Sequence, residues 1–366
     1  MANPATRAQD GRGAFEAYRE RSRFPSLDGL RCLSILPVVW HHSTPRPLEG
    51  VLGKGPLGVH LFFAISGFLI TTLLLRERER HGRIALGQFF ARRALRIFPL
   101  YYAVLAIYAL RGFVWMPASP LRDHFLASLP FYATYTGNWF VDYAVTHPVV
   151  FGFSWSLATE AQFYAYWPPL VALTRGWKLP LAAMLGLFAL DFVAERAGSA
   201  GAHRSLIAIV TSLSAPICLG SLLALGLHYP AAFRVLSPLT ARVTAPLLLL
   251  ALGLAIATDA PLLAIHLIMV LLVGAVAVRG DHGLARLLDA RVPRFIGEVS
   301  YGIYLLHVSA ITAARWLLSG AGALPVFALA AAGSIGLAAL SYRYLEMPFL
   351  RMASRHGSTR SATPAS

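Results

Sequence analysis

The 366-residue sequence has little charge and almost no cysteine. Its two cysteines, Cys32 and Cys218, fall inside apolar stretches, which excludes a disulfide framework or a metal cluster and leaves them as packing residues. Charged residues make up 13% of the chain against 57% hydrophobic, and mean hydropathy is +0.59, which excludes an ordinary soluble domain. Acidic residues are scarcer than basic ones: 17 Asp and Glu against 32 Lys and Arg give a net charge of +15. That excess does not point to nucleic acid, because the arginines are scattered through short loops without a folded basic domain or an aromatic-interleaved patch. No repeat recurs at a fixed period. Residues 1–24 are polar and basic, and the apolar run after them contains an arginine and lacks a small-residue cleavage site, so a removable signal peptide is not expected.

What the chain does have is a series of apolar runs of roughly 17 to 22 residues, long enough to cross a hydrocarbon core as helices. They fall at 27–45, 57–76, 94–113, 155–174, 179–195, 205–226, 243–258, 261–279, 299–318 and 323–343. The expected fold class is all-α: a polytopic membrane helical bundle of about ten transmembrane helices. The stretch 124–153, aromatic and broken by Pro130, reads as an interfacial or re-entrant loop. With the N-terminus inside, the loops facing the cytoplasm receive 24 of the 32 basic residues, seven face the other side, and Arg31 stays within the first helix. By the positive-inside bias both termini are cytoplasmic. The chain divides into a basic N-terminal segment, 1–24, a transmembrane domain, 25–350, and a small polar tail, 351–366, expected to be disordered and too short for a further soluble domain.

The ionisable residues at membrane depth carry the functional signal, because such groups are costly there. In "LDGLRCLSILPVVWHHS", eleven steps of about 100° separate Arg31 from His42, three turns plus about 20°, so the two share a face roughly 16 Å apart. Asp28 lies one turn before Arg31, and Pro37 kinks the helix between Arg31 and His42. Taken singly, Arg31 snorkels to the surface and the histidines sit at the interface. On one face they fit a polar lumen better, with a basic group for an anionic ligand and a histidine for proton transfer.

Other groups extend the pattern. "GPLGVHLFFAISGFLIT" places His60 one turn in and Ser66 and Gly67 at mid-depth, where small residues ordinarily serve close packing. "FFARRALRIFPLYY" puts Arg93 and Arg96 on one helical face, either plain inside-positive anchors or a guanidinium pair suited to phosphates. In "FSWSLATEAQFYAYWPPL", Glu160 is expected at the level of His42, as a partner that sets its tautomer. The surrounding Trp155, Phe163, Tyr164, Tyr166 and Trp167 read as interfacial belt residues. "IGEVSYGIYLLHVS" aligns Ser300, Tyr304 and His307, where a lone histidine is ordinarily a satisfied core residue. "LSYRYLEMPFLR" ends with Glu346, open to pairing with Arg31 or Arg343.

These stretches, in this order, resemble the membrane acyltransferase-3 family of bacterial O-acyltransferases, over about residues 24 to 350. The carriers are the Arg-x10-His pattern at Arg31 and His42, "GVHLFFAISGFLIT", the Arg-x-x-Arg pair at Arg93 and Arg96, "FSWSLATEAQFY", "VSYGIYLLH" and "YRYLEMPF". The resemblance implies a multi-pass enzyme of the bacterial inner membrane, an acyltransferase transferring groups other than amino-acyl groups. Its donor would be cytoplasmic acyl-CoA, chiefly acetyl-CoA, with no permanently bound cofactor or metal. Its acceptor would be a hydroxyl of a carbohydrate, a lipid-linked glycan or a glycosylated metabolite, in an environment of membrane lipids. On that basis His42 is the catalytic histidine, as general base or acyl carrier, and Arg31 orients it or holds the donor. Arg93 and Arg96 bind the CoA phosphates, and Glu160 and Glu346 are functional. His60 departs from the family pattern, which often has an acidic residue there. A secondary transporter with an intramembrane His/Arg/Glu relay is the alternative, weakened by the lack of inverted-repeat symmetry.

Overall fold

Runs of apolar residues punctuated by glycine, proline and arginine fold as helices, and there is no strand among the described residues. The computed structural model describes residues 13–44, 53–197, 209 and 213–358. After a short helix over 13–20, the main helices are α1 (Pro25–Ser43), α2 (Leu57–His81), α3 (Leu86–Val114), α4 (Pro120–Ala133), α5 (Trp155–Leu173), α6 (Lys178–Ala197) and α7 (Ala215–His228). They continue with α8 (Thr244–Ala257), α9 (Leu262–Val278), α10 (Arg291–Glu298), α11 (Ser300–Leu317), α12 (Ala323–Ser341) and α13 (Met347–Ser358). Local chemistry sets their ends. Proline opens α1, where its missing N–H costs nothing, and Gly82 closes α2 in the left-handed region at φ 69°.

Every one of the ten apolar stretches is helical over its described residues, yet length and composition qualify fewer as spans. Three are long and apolar enough to cross a membrane: Leu57–His81, Leu86–Val114 and the continuous run Ala323–Met352. A fourth arises if α10 and α11, bent by 77°, count as one span. The shortfall has a physical origin. α7, α8 and α9 are shorter than the roughly 20 residues of a span, and polar groups such as Asp28, Arg31, Glu160 and Asp191 dilute α1, α5 and α6. Within 124–153 the chain is helical to the end of α4 and again over Gly137–Phe140 and is otherwise mostly irregular, with the Ser119 hydroxyl accepting the Arg122 N–H at the start of α4.

Close backbone approach holds the bundle together. A Cβ at Gly67 of α2 would overlap the Ile217 carbonyl of α7, and one at Gly297 of α10 would overlap the Asp28 carbonyl of α1. The segment that leads into α10 is pinned to α1 by a one-directional chain: the Leu284 N–H donates to His282 Nδ1 (3.2 Å), so His282 Nε2 donates to Ser26 Oγ (2.9 Å), and Ser26 donates to Asp289 (2.7 Å). Burial pushes the His282 imidazole below its ordinary value, partly offset by Asp289.

Both flanking segments have described parts that pack on the bundle. Arg76, buried on α2, donates to the Tyr18 carbonyl (2.7 Å) and to that of Arg21, and stacks on the Tyr18 and Phe24 rings. The N-terminal segment is thereby docked on the bundle. At the other end the chain is helical through Ser358, because α13 packs against α3, and residues 359–366 lie outside those described.

Candidate functional site

α1 carries the two residues that helical periodicity placed on one face. Near its N-terminal end Arg31 forms an ion pair with Asp28, 2.8 Å apart. On α3, Arg93 lies with its guanidinium 5.7 Å from the Phe89 ring and 5.4 Å from the Tyr164 ring. Arg31, Arg96 and Glu160 are all within electrostatic reach of Arg93. Three guanidinium groups and two carboxylates, Asp28 and Glu160, therefore gather from α1, α3 and α5.

Glu160 is not the partner of His42. Its carboxylate accepts hydrogen bonds from Ser66 of α2 (2.5 Å) and from the Tyr164 hydroxyl one turn along its own helix. Depth explains the difference. His42 sits in the last turn of α1, whereas Glu160 lies in the second turn of α5, well below the outer helix ends. Ser66 thus has a polar role, while its neighbour Gly67 is the packing residue. The belt reading of the α5 aromatics also fails for Phe163, Tyr164 and Trp167, which are buried because α2 and α3 cover that helix; Tyr166 alone among the five is exposed.

Along α5 the residues Ser156, Glu160 and Tyr164, four apart, form one polar stripe. At its outer end Ser156 meets the Tyr304 hydroxyl of α11 at 2.7 Å, and that hydroxyl donates to the Phe153 carbonyl at 2.8 Å. One turn further along α11 is His307. Its ring packs edge-to-face on His42, with centroids 4.8 Å apart, and His41 flanks His42 at 5.2 Å. His42 donates Nδ1–H to the Val38 carbonyl (2.9 Å), and His307 donates Nδ1–H to the Tyr304 carbonyl (2.5 Å). Since a carbonyl only accepts, each neutral ring carries its lone pair on Nε2. His42 is exposed and His307 fully buried. Arg315 reaches the His42 carbonyl at 3.2 Å and satisfies a helix-end acceptor.

Two other residues lie apart from this assembly. His60 pairs with His266 of α9 at 2.9 Å and has no described contact with His42. Glu346 meets neither Arg31 nor Arg343 in any described ion pair. It is buried beside Ser341, which donates to it at 3.1 Å, and lies within electrostatic reach of Arg96. A π-helical segment over Tyr342–Glu346 turns it inward. Sequence reading missed Tyr164 and Ser156 as members of the site; their four-residue spacing from Glu160 was the available signal.

The arrangement places a guanidinium cluster at one end, the hydroxyls of Ser66, Tyr164, Ser156 and Tyr304 between, and the His42–His307 ring pair at the other end. Comparison with known proteins gives this layout a context. The acyltransferase domain family matches residues 24–343. Peptidoglycan O-acetyltransferase OatA of Listeria monocytogenes is 29% identical over 359 residues, covering 90% of this chain and 56% of that protein. A putative O-acetyltransferase of Staphylococcus aureus strain COL is 27% identical over 363 residues, 92% of this chain and 58% of its own length. The O-acetyltransferase OatA of S. aureus strain NCTC 8325 is 33% identical over 156 residues, covering 40% of this chain and 24% of that protein. The chain thus spans less than two thirds of these curated relatives. No solved structure matches it. The chain belongs to the acyltransferase-3 family, whose matching model describes an acyltransferase domain.

Proposed function

We propose that this acyltransferase is a multi-pass O-acetyltransferase of the bacterial inner membrane, with ten spans and both termini in the cytoplasm. It moves an acetyl group from cytoplasmic acetyl-CoA to a hydroxyl of an envelope carbohydrate, with peptidoglycan the first acceptor to examine because a relative is named for it. The observation that supports this reading best is the succession of polar groups from Arg31, Arg93 and Arg96 past Glu160 and Ser156, one turn apart on α5, to Tyr304 and the His307–His42 ring pair. The guanidinium groups suit CoA phosphates, since a planar fork pairs with phosphate oxygens. The eleven-residue run from Arg31 to His42, roughly 16 Å, is comparable to an extended pantetheine arm.

In the proposed reaction, His42 Nε2 takes the proton of the acceptor hydroxyl while its oxygen attacks the thioester carbonyl carbon. The C–S bond then breaks and the thiolate leaves, taking up the proton to give free CoA thiol and the new ester. The Val38 carbonyl holds His42 in the tautomer this requires. Glu160, fixed by Ser66 and Tyr164, balances the guanidinium cluster from the side of α5. The test is mass spectrometry of envelope glycans from cells making the native protein or His42→Ala at matched membrane levels. Base-labile acetyl mass present with the first and lost with the second is expected. Equal acetylation in both would remove His42 from the chemistry.

A further inference from the structure

His307 is the buried imidazole for which the reaction above has no use. Its Nδ1 is committed to the Tyr304 carbonyl, so Nε2 is an acceptor; yet Nε2 has no hydrogen-bond partner and the residue has no exposed surface. Such an orphan costs on the order of 1–3 kcal/mol and calls for an explanation. The groups facing it are the rings of Phe153, Tyr304 and His42, and the Tyr304 hydroxyl is already occupied by Ser156 and the Phe153 carbonyl. His42 is the remaining polar neighbour. As neutral rings the two cannot bond through their Nε2 atoms, because both are acceptors. Adding one proton changes this: an imidazolium Nε2–H can donate to a neutral imidazole Nε2. The pair is thus built one proton short.

We propose that His307 is the proton-holding partner of His42, a positioning residue that stabilises the imidazolium formed during acyl transfer. This rests on the reading of His42 as the base. When His42 Nε2 takes the hydroxyl proton, the oxygen that released it becomes an ester oxygen, a weaker acceptor. The new Nε2–H then donates to His307 Nε2, while His42 Nδ1–H stays on Val38. The C–S electron pair leaves with the thiolate, which takes the proton back from the pair, and both rings return to neutral. The division follows exposure: the exposed ring meets the acceptor and the buried ring stands behind it, out of reach of water.

Membrane vesicles containing the native envelope acceptors, supplied with radiolabelled acetyl-CoA, provide the assay as base-labile label. His307→Gly should lower the rate about 100-fold or more, with KM for acetyl-CoA within about twofold of native because the donor's phosphates bind elsewhere. Added imidazole should restore the rate, and pyrazole, of similar shape but far weaker basicity, should not. Equal rescue by both would mean that the ring only fills space, and would overturn the proposal. His307→Phe fills the ring volume without the nitrogen and guards against misfolding of the glycine variant: full activity in it refutes the proposal, and loss at normal membrane levels supports it. A His42→Ala variant that labels normally, or native vesicles that do not label, would instead sink the underlying reading and the proposal with it. Loss in His42→Ala together with native activity in His307→Phe would sink the proposal alone.

Discussion

Replacing Arg93 separates a donor-binding role from an anchoring one. Its guanidinium carbon lies over the Phe89 and Tyr164 rings, 5.7 and 5.4 Å from their centroids, which limits where the fork can swing. A hydrogen bond between a guanidinium and a phosphate contributes about 1.5–3 kcal/mol. At about 1.4 kcal/mol per tenfold, Arg93→Ala should raise KM for acetyl-CoA roughly 10- to 150-fold. Phosphate contacts remote from the thioester are the same in ground and transition states, so kcat should stay within about threefold. Arg93→Lys keeps the charge but loses the fork and the stacking, and should fall between the two. Initial rates of CoA thiol release in native membranes, measured against acetyl-CoA concentration, give both constants. Raising ionic strength should weaken donor binding in the native protein and less so in Arg93→Ala. A fall in kcat at unchanged KM would refute the assignment and place Arg93 in the chemistry. An unchanged KM and kcat would leave it as an inside-facing anchor.

Three further outcomes follow from packing and charge. Gly67→Leu drives a side chain into the Ile217 carbonyl and should lower the detergent melting temperature by an amount matching about 3 kcal/mol, whereas Gly253→Ala, which meets open space, should not. Arg76→Leu leaves the Tyr18 and Arg21 carbonyls unpaired, so limited proteolysis should cut within residues 13–24 at least tenfold faster than in the native protein, reflecting a loss of about 2 kcal/mol or more. His282 has a folded value held below its ordinary one by burial, so the unfolded chain binds the proton first. Stability should therefore be full above about pH 6.5 and decline as pH falls below it through the folded value. Melting of His282→Gln across that range should lose this part of the slope, and an unchanged slope would exclude the histidine.

Helical periodicity made the Arg31–His42 face and the Arg93–Arg96 pair legible, because both relations are set within one helix. Glu160 was legible as a carboxylate within an apolar helix but not in its partners, since Ser66 belongs to another helix and the relative depth of α1 and α5 is a tertiary property. His307 looked like an ordinary core histidine, and only packing against α1 reveals an acceptor without a donor. The inward turn of Glu346 depends on a π segment that no local propensity marks. The helix through Ser358 arises from contact with α3, against the polar composition of that stretch.

The tight seat of α10 on α1 has a consequence for how a water-soluble molecule gains admission. Gly29 is pressed against the Leu288 backbone and Gly297 against that of Asp28, which seals one flank of the first turns of α1. Arg31 follows Gly29 by two residues and so projects about 200° around the helix, toward the side where Arg93 stands. A donor bound as proposed would therefore be approached from one side only, between α1 and the N-terminal turns of α3. Substitutions that alter the proposed donor preference should arise on that side, leaving the sealed flank free to vary only in ways that keep its glycines.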